Sequence, residues 1–386
     1  MVASLSLPQI MRVGRGAADE LGDVLTGLGL SRPLLVTDGF LAGSGAAERL
    51  LAALKGAGLH PRLFSGTVPD PTTDSLAPGL TALRAHEADA VIGFGGGSPM
   101  DTAKALALLG VQGGHMHDYK APRVNLGPAL PVIAVPTTAG SGSEATQFTV
   151  ITDSATDEKM LCLGPAFLPL AAVIDVELTM SMPPRLTADT GLDALTHAVE
   201  AYVSRKANPF SDSLALTAIT TIGRHLHRAY ADGADAPARE AMMLAATQAG
   251  IAFSNSSVAL VHGMSRPIGA HFHVAHGLSN AMLFPAVTAF SVHAAPGRYA
   301  DCARALGAAP PTDTDAVAAG KLVDALRCLC RDLEVPTPRA YGIDQDAWAR
   351  LTPLMAEQAL ASGSPANNPV VPTTDQIQDL YTQIYG

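Results

Sequence analysis

The stretch "DAVIGFGGGSPMDTAKALALL", residues 89–109, passes from an apolar run into a cluster of glycines and then into a helical pattern. Residues 89–98 predict a buried strand that runs into the glycines, and residues 100–109 predict a helix. Glycines let the backbone approach an anion closely, and the start of a helix presents unpaired N–H groups. The turn therefore suits a pyrophosphate. Its spacing departs from GxGxxG, so a plain tight turn remains the alternative.

The same alternation of strand and helix continues on both sides of this turn. Further strands are predicted at 32–38, 61–66, 130–138 and 171–178, with a β-rich segment at 145–153, and further helices at 45–59 and 73–88. Strands that alternate with helices imply a parallel sheet with helical crossovers. The first part of the chain is therefore predicted to be an α/β domain.

The pattern changes near residue 182, where two prolines precede a long series of helical segments. We predict helices at 187–203, 209–230, 236–254, 257–270, 277–291, 315–333, 344–360 and 373–384. The chain is thus predicted to hold two domains, an α/β domain over 1–182 and an all-helical domain over 183–386.

Composition excludes several classes of protein. Of the 386 residues, 48% are hydrophobic and 16% charged, which argues against disorder, and the net charge of −10 argues against a nucleic-acid partner. The N-terminus lacks a signal-peptide pattern, and no apolar run is long enough to span a membrane. The four cysteines form no CxxC pair and are expected to be reduced, packed thiols. We therefore expect a cytoplasmic protein.

A second polar loop, "PTTAGSGSEAT" at 136–146, follows another predicted strand and offers the hydroxyls of Thr137, Thr138 and Ser141. Open parallel sheets bind ligands beyond the carboxyl ends of their strands, and two such loops suit a ligand with several phosphates. Asp38 ends an earlier strand. It could accept a hydrogen bond from a ribose 2′-hydroxyl, or it could simply begin a turn or helix.

The segment "TGLDALTHAVEAY", residues 190–202, places Asp193 and His197 four residues apart on a predicted helix. Side chains at this spacing lean toward one point, with a rise of roughly 6 Å between them. This geometry can chelate a metal ion, but it is also that of an ordinary pair on a helix surface.

A histidine-rich segment, residues 261–285, could complete such a site. His262 and His276 are too far apart on one continuous helix to share an ion, but Pro267, Gly269 and Gly277 offer places for the chain to turn back. One carboxylate and three imidazoles suit a divalent ion such as iron(II) or zinc. The alternative is that some of these histidines are capping or core residues.

Taken together, "GGGSPMDTAK", "PTTAGSGSE", "TGLDALTHAVEAY" and "HGMSRPIGAHFHVAHG" resemble the iron-containing (group III) alcohol dehydrogenase family. The resemblance implies a dinucleotide-binding domain over 1–182, a helical metal- and substrate-binding domain over 183–386, and an active site in the cleft between them. It implies hydride transfer between a nicotinamide and a primary or small alcohol, with Fe(2+), or alternatively Zn(2+), polarising the substrate oxygen. It also implies a homo-oligomer, a dimer or larger.

The resemblance assigns individual residues as well. The metal ligands are expected to be Asp193, His197, His262 and His276. Asp38 matches the acidic residue at the adenosine ribose, which favours NAD. The other expected cofactor-binding residues are Gly95, Gly96, Gly97, Ser98, Asp101, Thr137, Thr138, Ser141 and Lys159.

One position departs from the common family pattern. Many members carry a second histidine four residues after the third ligand, close to the substrate, and here that residue is Arg266. An arginine cannot carry a proton near neutral pH, so His271, a ribose hydroxyl or water would have to do so. Arg266 could instead hold an anionic group of the substrate, or contact the cofactor phosphates or a nearby acid. Glu200 could orient a ligand, although a solvated or paired glutamate is the expected reading.

Three other functions remain open at this stage. A hydroxyacid–oxoacid transhydrogenase would cycle a tightly held cofactor, and a lyase resembling dehydroquinate synthase would need a cluster of basic residues near the metal motifs. Only Arg266 and Lys206 lie near them. A non-enzymatic nucleotide-binding protein would not need the metal constellation.

Overall fold

The structure is a computed structural model that describes residues 3–386. The chain divides into two compact units, Leu5–Ser181 and Met182–Gly386, the latter together with Ala3 and Ser4. In the first unit the strands are β1 (Ile10–Val13), β2 (Pro33–Asp38), β3 (Arg62–Thr67), β4 (Ala90–Gly95), β5 (Val132–Pro136), β6 (Phe148–Thr152), β7 (Lys159–Leu163) and β8 (Ala171–Ile174). Its helices are α1 (Leu21–Gly27), α2 (Gly39–Gly43), α3 (Ala46–Gly56), α4 (Thr73–Ala85) and α5 (Gly97–Gln112).

Six of these strands form one parallel sheet in the order β1-β8-β5-β4-β2-β3. Successive residues of its strands face opposite sides, so Leu34 and Val36 join one apolar core while Leu35 joins the other. Both faces are therefore covered, as is usual for a parallel sheet. The predicted α/β fold is confirmed.

The order of the strands decides where the polar loops lie. β5, β4 and β2 are neighbours and run parallel, so their carboxyl ends meet at one edge of the sheet. The β-rich segment at 145–153 lies outside this sheet. It forms β6, which pairs antiparallel with β7, a strand that the sequence did not predict.

The second unit is helical. Its helices are α6 (Pro184–Val203), α7 (Pro209–Ala231), α8 (Ala236–Ser254), α9 (Leu260–Phe272), α10 (His276–Ser291), α11 (Pro296–Leu306), α12 (Asp315–Asp332), α13 (Pro338–Tyr341), α14 (Gln345–Ala361) and α15 (Thr374–Ile384). α7 shows how local sequence sets a boundary. The Asn208 side chain accepts hydrogen bonds from the N–H groups of Phe210 and Ser211, and Pro209 occupies the first helical position.

Three of the four cysteines fit the expectation of packed thiols. All four cysteines are free thiols, and three of them are buried, while Cys328 is exposed. Among residues 3–386, no helix combines the length and apolar character needed to cross a membrane.

Candidate metal centre

α6 brings Asp193 and His197 onto one buried face. Both side chains are about 5% exposed, and Asp193 Oδ1 lies 3.8 Å from His197 Nε2. From Ala188 onward, nearly every residue of α6 is buried, so this helix runs through the interior of its unit. An ordinary pair on a helix surface is therefore ruled out.

The other two histidines reach the same point from α9 and α10. α9 ends at Phe272, His273 adopts a left-handed backbone with φ of 53°, and α10 begins at His276. The turn therefore lies between the two helices, as a shared site requires. His276 Nε2 lies 3.9 Å from Asp193 Oδ1.

Of the places where the chain could have turned back, Pro267 and Gly269 are not used, and the helix predicted to end at residue 270 ends at Phe272. α9 continues through both residues, and Pro267 lies inside it. A proline there removes one backbone hydrogen bond and strains the preceding turn. Every residue from 260 to 270 is buried, and this packing stabilises the helix against that cost.

The four side chains form a group that could hold one metal ion. One ligand atom from each of Asp193, His197, His262 and His276 lies within 4.8 Å of the others. Asp193 Oδ1 is 3.6 Å from His262 Nε2. In a tetrahedral site with bonds of about 2.0–2.2 Å, ligand atoms lie about 3.3–3.6 Å apart. A small inward movement would therefore produce a metal geometry, and the donor set of one oxygen and three nitrogens suits iron(II) or zinc.

The charge states favour a cation at this point. Burial lowers the pKa of His197 to about 3, which keeps this imidazole neutral. Burial alone would raise the pKa of Asp193, but the surrounding histidines hold it below its usual range, so the carboxylate is ionised. Burial opposes charge on His262 as well, yet Asp193 and Glu200 outweigh it and raise its pKa.

Glu200 orients His262, which is the less expected of the two sequence interpretations. The glutamate is buried, and its Oε2 accepts a hydrogen bond of 2.7 Å from His262 Nδ1. It also accepts from the backbone N–H groups of Ala259 (2.8 Å) and Val261 (2.6 Å) at the start of α9. Because its proton is fixed on Nδ1 in this way, His262 has its lone pair on Nε2. That lone pair points toward the centre that the four candidate ligand atoms surround.

Asn280 lies beside the four candidate ligands, and the sequence did not point to it. It lies one turn after His276 on α10 and is fully buried. Its Nδ2 lies 2.7 Å from Asp193 Oδ1, 3.1 Å from His262 Nε2 and 3.3 Å from His276 Nε2. The spacing of four residues from a candidate ligand, the same as that of Asp193 and His197, was a usable signal.

Gly277 allows the two ligand-bearing helices to approach. A Cβ at this position would collide with the backbone carbonyl oxygen of Asp189 and lie 3.4 Å from Asp193 Cβ. Because no other residue lacks a Cβ, only glycine lets α10 pack this closely against α6.

Arg266 lies one turn after His262 on the same face of α9. The side chain is buried, and its Nη1 donates a 2.9 Å hydrogen bond to Ser364 Oγ. Burial lowers its pKa to about 10, against the opposing effect of Glu200, so the guanidinium stays charged at neutral pH. Within residues 3–386 no carboxylate forms an ion pair with it. Arg266 is therefore a charged side chain, 7% exposed, with a neutral hydroxyl as its hydrogen-bond partner.

His271 is placed differently from the expectation. It lies in the last turn of α9, nine residues after His262 and so on the opposite side of the helix, and its Nε2 lies 2.8 Å from Gln358 Oε1. It does not join the metal group. This geometry does not favour His271 as a proton carrier.

In the first unit, the glycine turn and the second polar loop lie side by side. Gly95 ends β4 with a φ of 146°, and a Cβ there would collide with Pro99. A Cβ on Gly96 would touch the Thr138 side chain at 3.4 Å, and one on Gly97 would touch Ser141 at 3.5 Å. Ser98 follows in the first turn of α5, and Thr137 N–H donates to the Gly95 carbonyl.

Asp38 fits both of its sequence interpretations. It ends β2, and its Oδ1 accepts a 2.9 Å hydrogen bond from Leu41 N–H at the start of α2. Its second carboxylate oxygen has no hydrogen-bond partner among the described residues. This oxygen can accept from a ligand at the edge of the sheet where β4 and β5 also end.

Asp101 and Lys159 are engaged with the protein itself. Asp101 accepts hydrogen bonds of 2.9 Å from Ser143 Oγ and Val150 N–H, while Lys159 Nζ pairs with Asp70 at 2.8 Å. Asp101 therefore holds the second polar loop and β6 in place. Neither residue presents a free charged group of the kind that a direct contact with a cofactor phosphate would use.

Lys104, which the sequence analysis did not select, supports the same loop. The lysine is fully buried, and its Nζ donates to Ser143 Oγ and the Phe148 carbonyl, both at 2.8 Å. It donates to the Thr146 carbonyl as well, at 3.1 Å. Burial lowers its pKa to about 8, against the opposing effect of Asp101.

Two family profiles match almost the whole chain. The profile described as "Iron-containing alcohol dehydrogenase" matches residues 8–176, and the one described as "Fe-containing alcohol dehydrogenase family, C-terminal" matches residues 187–385. The chain belongs to the iron-containing alcohol dehydrogenase family. Its chemistry is accordingly that of an oxidoreductase.

Three proteins of known activity are similar to this chain over nearly their full length. The NAD-dependent methanol dehydrogenase of Bacillus methanolicus is 36% identical over 97% of both chains. A crystal structure of a 1,3-propanediol oxidoreductase superposes with a TM-score of 0.95 at 34% identity, covering 100% of both chains. The sulfoacetaldehyde reductase of Bifidobacterium kashiwanohense, solved with NAD+, gives a TM-score of 0.88 at 29% identity over 100% and 99% of the chains.

Proposed function

We propose that this chain is a metal-dependent, NAD(H)-linked alcohol dehydrogenase that also reduces the corresponding aldehyde, acting on a primary or small alcohol. The observation that carries the proposal is the group of Asp193, His197, His262 and His276, of which the first three are buried and His276 is half-buried. These residues would hold Fe(2+), the metal that names the family, and the donor set also accepts Zn(2+).

The metal ion and the nicotinamide would each supply one part of the chemistry. A bound divalent ion supplies Lewis acidity toward an alcohol or carbonyl oxygen, and a nicotinamide accepts or donates the hydride. The protein supplies position and charge. Glu200 holds the proton on His262 Nδ1, and the glycine turn with Thr138 and Ser141 offers N–H and hydroxyl groups for a pyrophosphate.

The proposed cofactor is NAD rather than NADP. The free carboxylate oxygen of Asp38 would accept a hydrogen bond from the ribose 2′-hydroxyl of NAD and repel the 2′-phosphate of NADP. The NAD dependence of the methanol dehydrogenase and the NAD+ complex of the sulfoacetaldehyde reductase support this choice. A homo-oligomeric assembly and a cytoplasmic location stay predictions.

We also propose that Arg266 holds an anionic group of the substrate. It is a buried cation with one neutral hydrogen-bond partner, Ser364, and it lies one helical turn from His262. A carboxylate or sulfonate on the substrate would pair with it by charge-assisted hydrogen bonds. The similarity to a sulfoacetaldehyde reductase, whose named substrate carries a sulfonate, supports this finer proposal.

The central test is NADH production by metal-stripped protein reloaded separately with iron(II) or zinc. We expect turnover of small primary alcohols only after reloading, and only with added NAD. Substrate exchange between a hydroxy acid and an oxo acid without added NAD would instead indicate a transhydrogenase. No metal-dependent turnover of any alcohol or aldehyde would refute the proposed function.

The Arg266 proposal needs two substrates with the same alcohol end and chain length, one of which ends in an anionic group, such as 4-hydroxybutanoate and 1-butanol. A charge-assisted hydrogen bond is worth about 1.5–3 kcal/mol, so Arg266→Ala should lower kcat/KM for the acid about 10- to 150-fold more than for the alcohol. Arg350→Ala removes an exposed arginine of α14 and should change neither value. An equal effect of Arg266→Ala on both substrates would contradict the proposal.

A further inference from the structure

Asn280 stands out because its amide nitrogen lies beside three of the four candidate ligand atoms. Its Nδ2 is within 3.3 Å of Asp193 Oδ1, His262 Nε2 and His276 Nε2, and the nearest of these is the carboxylate oxygen at 2.7 Å. The side chain has no exposed surface, so it cannot exchange these partners for bulk water. The polar neighbours of its amide nitrogen are therefore the candidate ligand atoms and not solvent.

The surrounding atoms fix which way the amide points. A flipped Asn280 would direct its oxygen at the Asp193 carboxylate and at imidazole lone pairs, which is repulsive. With the nitrogen in this place, the Asn280 Oδ1 has no hydrogen-bond partner although it is buried. A buried acceptor without a partner costs about 1–3 kcal/mol, so the contacts made by the nitrogen must outweigh that cost.

The donors and acceptors do not match in number. The amide nitrogen carries two hydrogens and faces three acceptors, two of which are the imidazole lone pairs that a metal ion would need. Without a metal, its hydrogens can bind Asp193 and one imidazole. With a metal, both imidazole lone pairs are taken, and Asp193 alone remains as its partner.

We propose that Asn280 is a positioning residue for the metal ion. In the metal-free protein its amide nitrogen donates hydrogen bonds to acceptor atoms that repel one another, and so keeps these atoms close together. In the metal-bound protein it holds the Asp193 carboxylate in the orientation that binds the ion. Among the described residues, Asn280 is the one amide or hydroxyl donor to Asp193. This inference rests on the proposed metal-dependent function, because it assigns a role at the same site.

The test is metal binding itself, measured on the full chain after metal removal. Zinc affinity is obtained by competition with a chromophoric chelator, and the number of ions per chain by elemental analysis. Orientation of an inner ligand by its neighbours is typically worth 10- to 100-fold in metal affinity. We therefore expect Asn280→Ala to bind one ion with a Kd about 10- to 100-fold above that of the unmodified protein.

Asn368→Ala is the matched control. Asn368 is also a buried asparagine of the helical unit, but it bonds to Ser291 Oγ (2.8 Å) and the Val370 carbonyl (2.7 Å) instead of the metal group. Its substitution should leave the zinc Kd unchanged within twofold. The visible absorption of the cobalt(II) form should likewise change in Asn280→Ala and stay the same in Asn368→Ala.

The outcomes separate this inference from the proposed function. A zinc Kd for Asn280→Ala within twofold of the unmodified protein, with an unchanged cobalt(II) spectrum, overturns the role of Asn280. Unmodified protein that binds no ion, or that binds as well after His197→Ala, overturns the proposed function instead. If the alanine variant does not fold, Asn280→Ser, which keeps a shorter donor, should still weaken zinc binding, and an unchanged Kd overturns the inference.

Discussion

Replacing Glu200 by glutamine should weaken the metal site and the helical unit together. The carboxylate accepts three hydrogen bonds: His262 Nδ1 and Ala259 N–H reach one oxygen, and Val261 N–H reaches the other. A glutamine has nearly the same shape but offers one oxygen only. Its NH₂ group must then face at least one of these three donors.

The size of the effect follows from this count. The less costly orientation keeps the glutamine oxygen at His262 and Ala259 and leaves the Val261 N–H buried without an acceptor, which costs about 1–3 kcal/mol. The two bonds that remain lose their charge, and neutral hydrogen bonds are roughly half as strong. We therefore expect Glu200→Gln to lower the free energy of unfolding of the metal-free protein by about 2–4 kcal/mol. Metal affinity should fall about 10- to 100-fold, because His262 loses its fixed orientation.

The assay combines urea unfolding of the metal-free protein with zinc competition by a chromophoric chelator. Glu357→Gln is the control, since Glu357 is exposed on α14 and the same chemical change there should alter neither quantity. A Glu200→Gln protein with the zinc affinity of the unmodified chain would refute the reasoning, even if it were less stable. Glu200 would then support only the start of α9.

Three further changes test other parts of the structure. Gly277→Ala should destabilise the metal-free protein by about 1–3 kcal/mol in urea unfolding, because the new Cβ collides with the Asp189 carbonyl. Gly320→Ala is the control, since a Cβ there meets no atom within 4 Å. Equal stabilities of the two variants would contradict the close packing of α10 against α6. Folding lowers the pKa of Lys104 to about 8, so from there to its unfolded value of 10.5 the unfolded chain binds more protons and stability rises with pH. Lys104→Met should remove up to about 3 kcal/mol of that rise, and a difference between the two proteins that does not vary with pH would refute the assignment. Asp38→Asn keeps an oxygen for the helix cap but removes the charge, so the ratio of kcat/KM for NAD over NADP should fall, and an unchanged ratio would exclude Asp38 from cofactor selection.

The sequence predicted the sheet well where strands are buried on both faces. β2, β4 and β5 are continuous apolar runs that end in glycine or polar residues, and this pattern is typical of central parallel strands. The sequence did not predict β1, a strand of four residues at the edge of the sheet. This strand is partly exposed and therefore lacks a continuous apolar run. β7 was also missed, because its alternating pattern only gains meaning once β6 is known to pair with it.

In the candidate site, too, some residues were predictable from local sequence and others were not. Asp193 and His197 were predictable because helical spacing alone places them together. The roles of Glu200 and Asn280 were not, since each depends on contacts between helices that are remote in sequence. Arg266 shows the same limit: the sequence marked it as unusual, but its burial and its bond to Ser364 arise from the packing of α9 against a distant segment.

The candidate ligands are spread over three helices, and this has a consequence beyond chemistry. Asp193 and His197 lie on α6, His262 on α9 and His276 at the start of α10. An ion bound by all four would act as a cross-link, closing one long loop and one short loop of the chain and restricting the unfolded state as a disulfide does. The ion would then protect α7 and α8, which lie within the long loop, from proteolysis, although neither helix contributes a ligand.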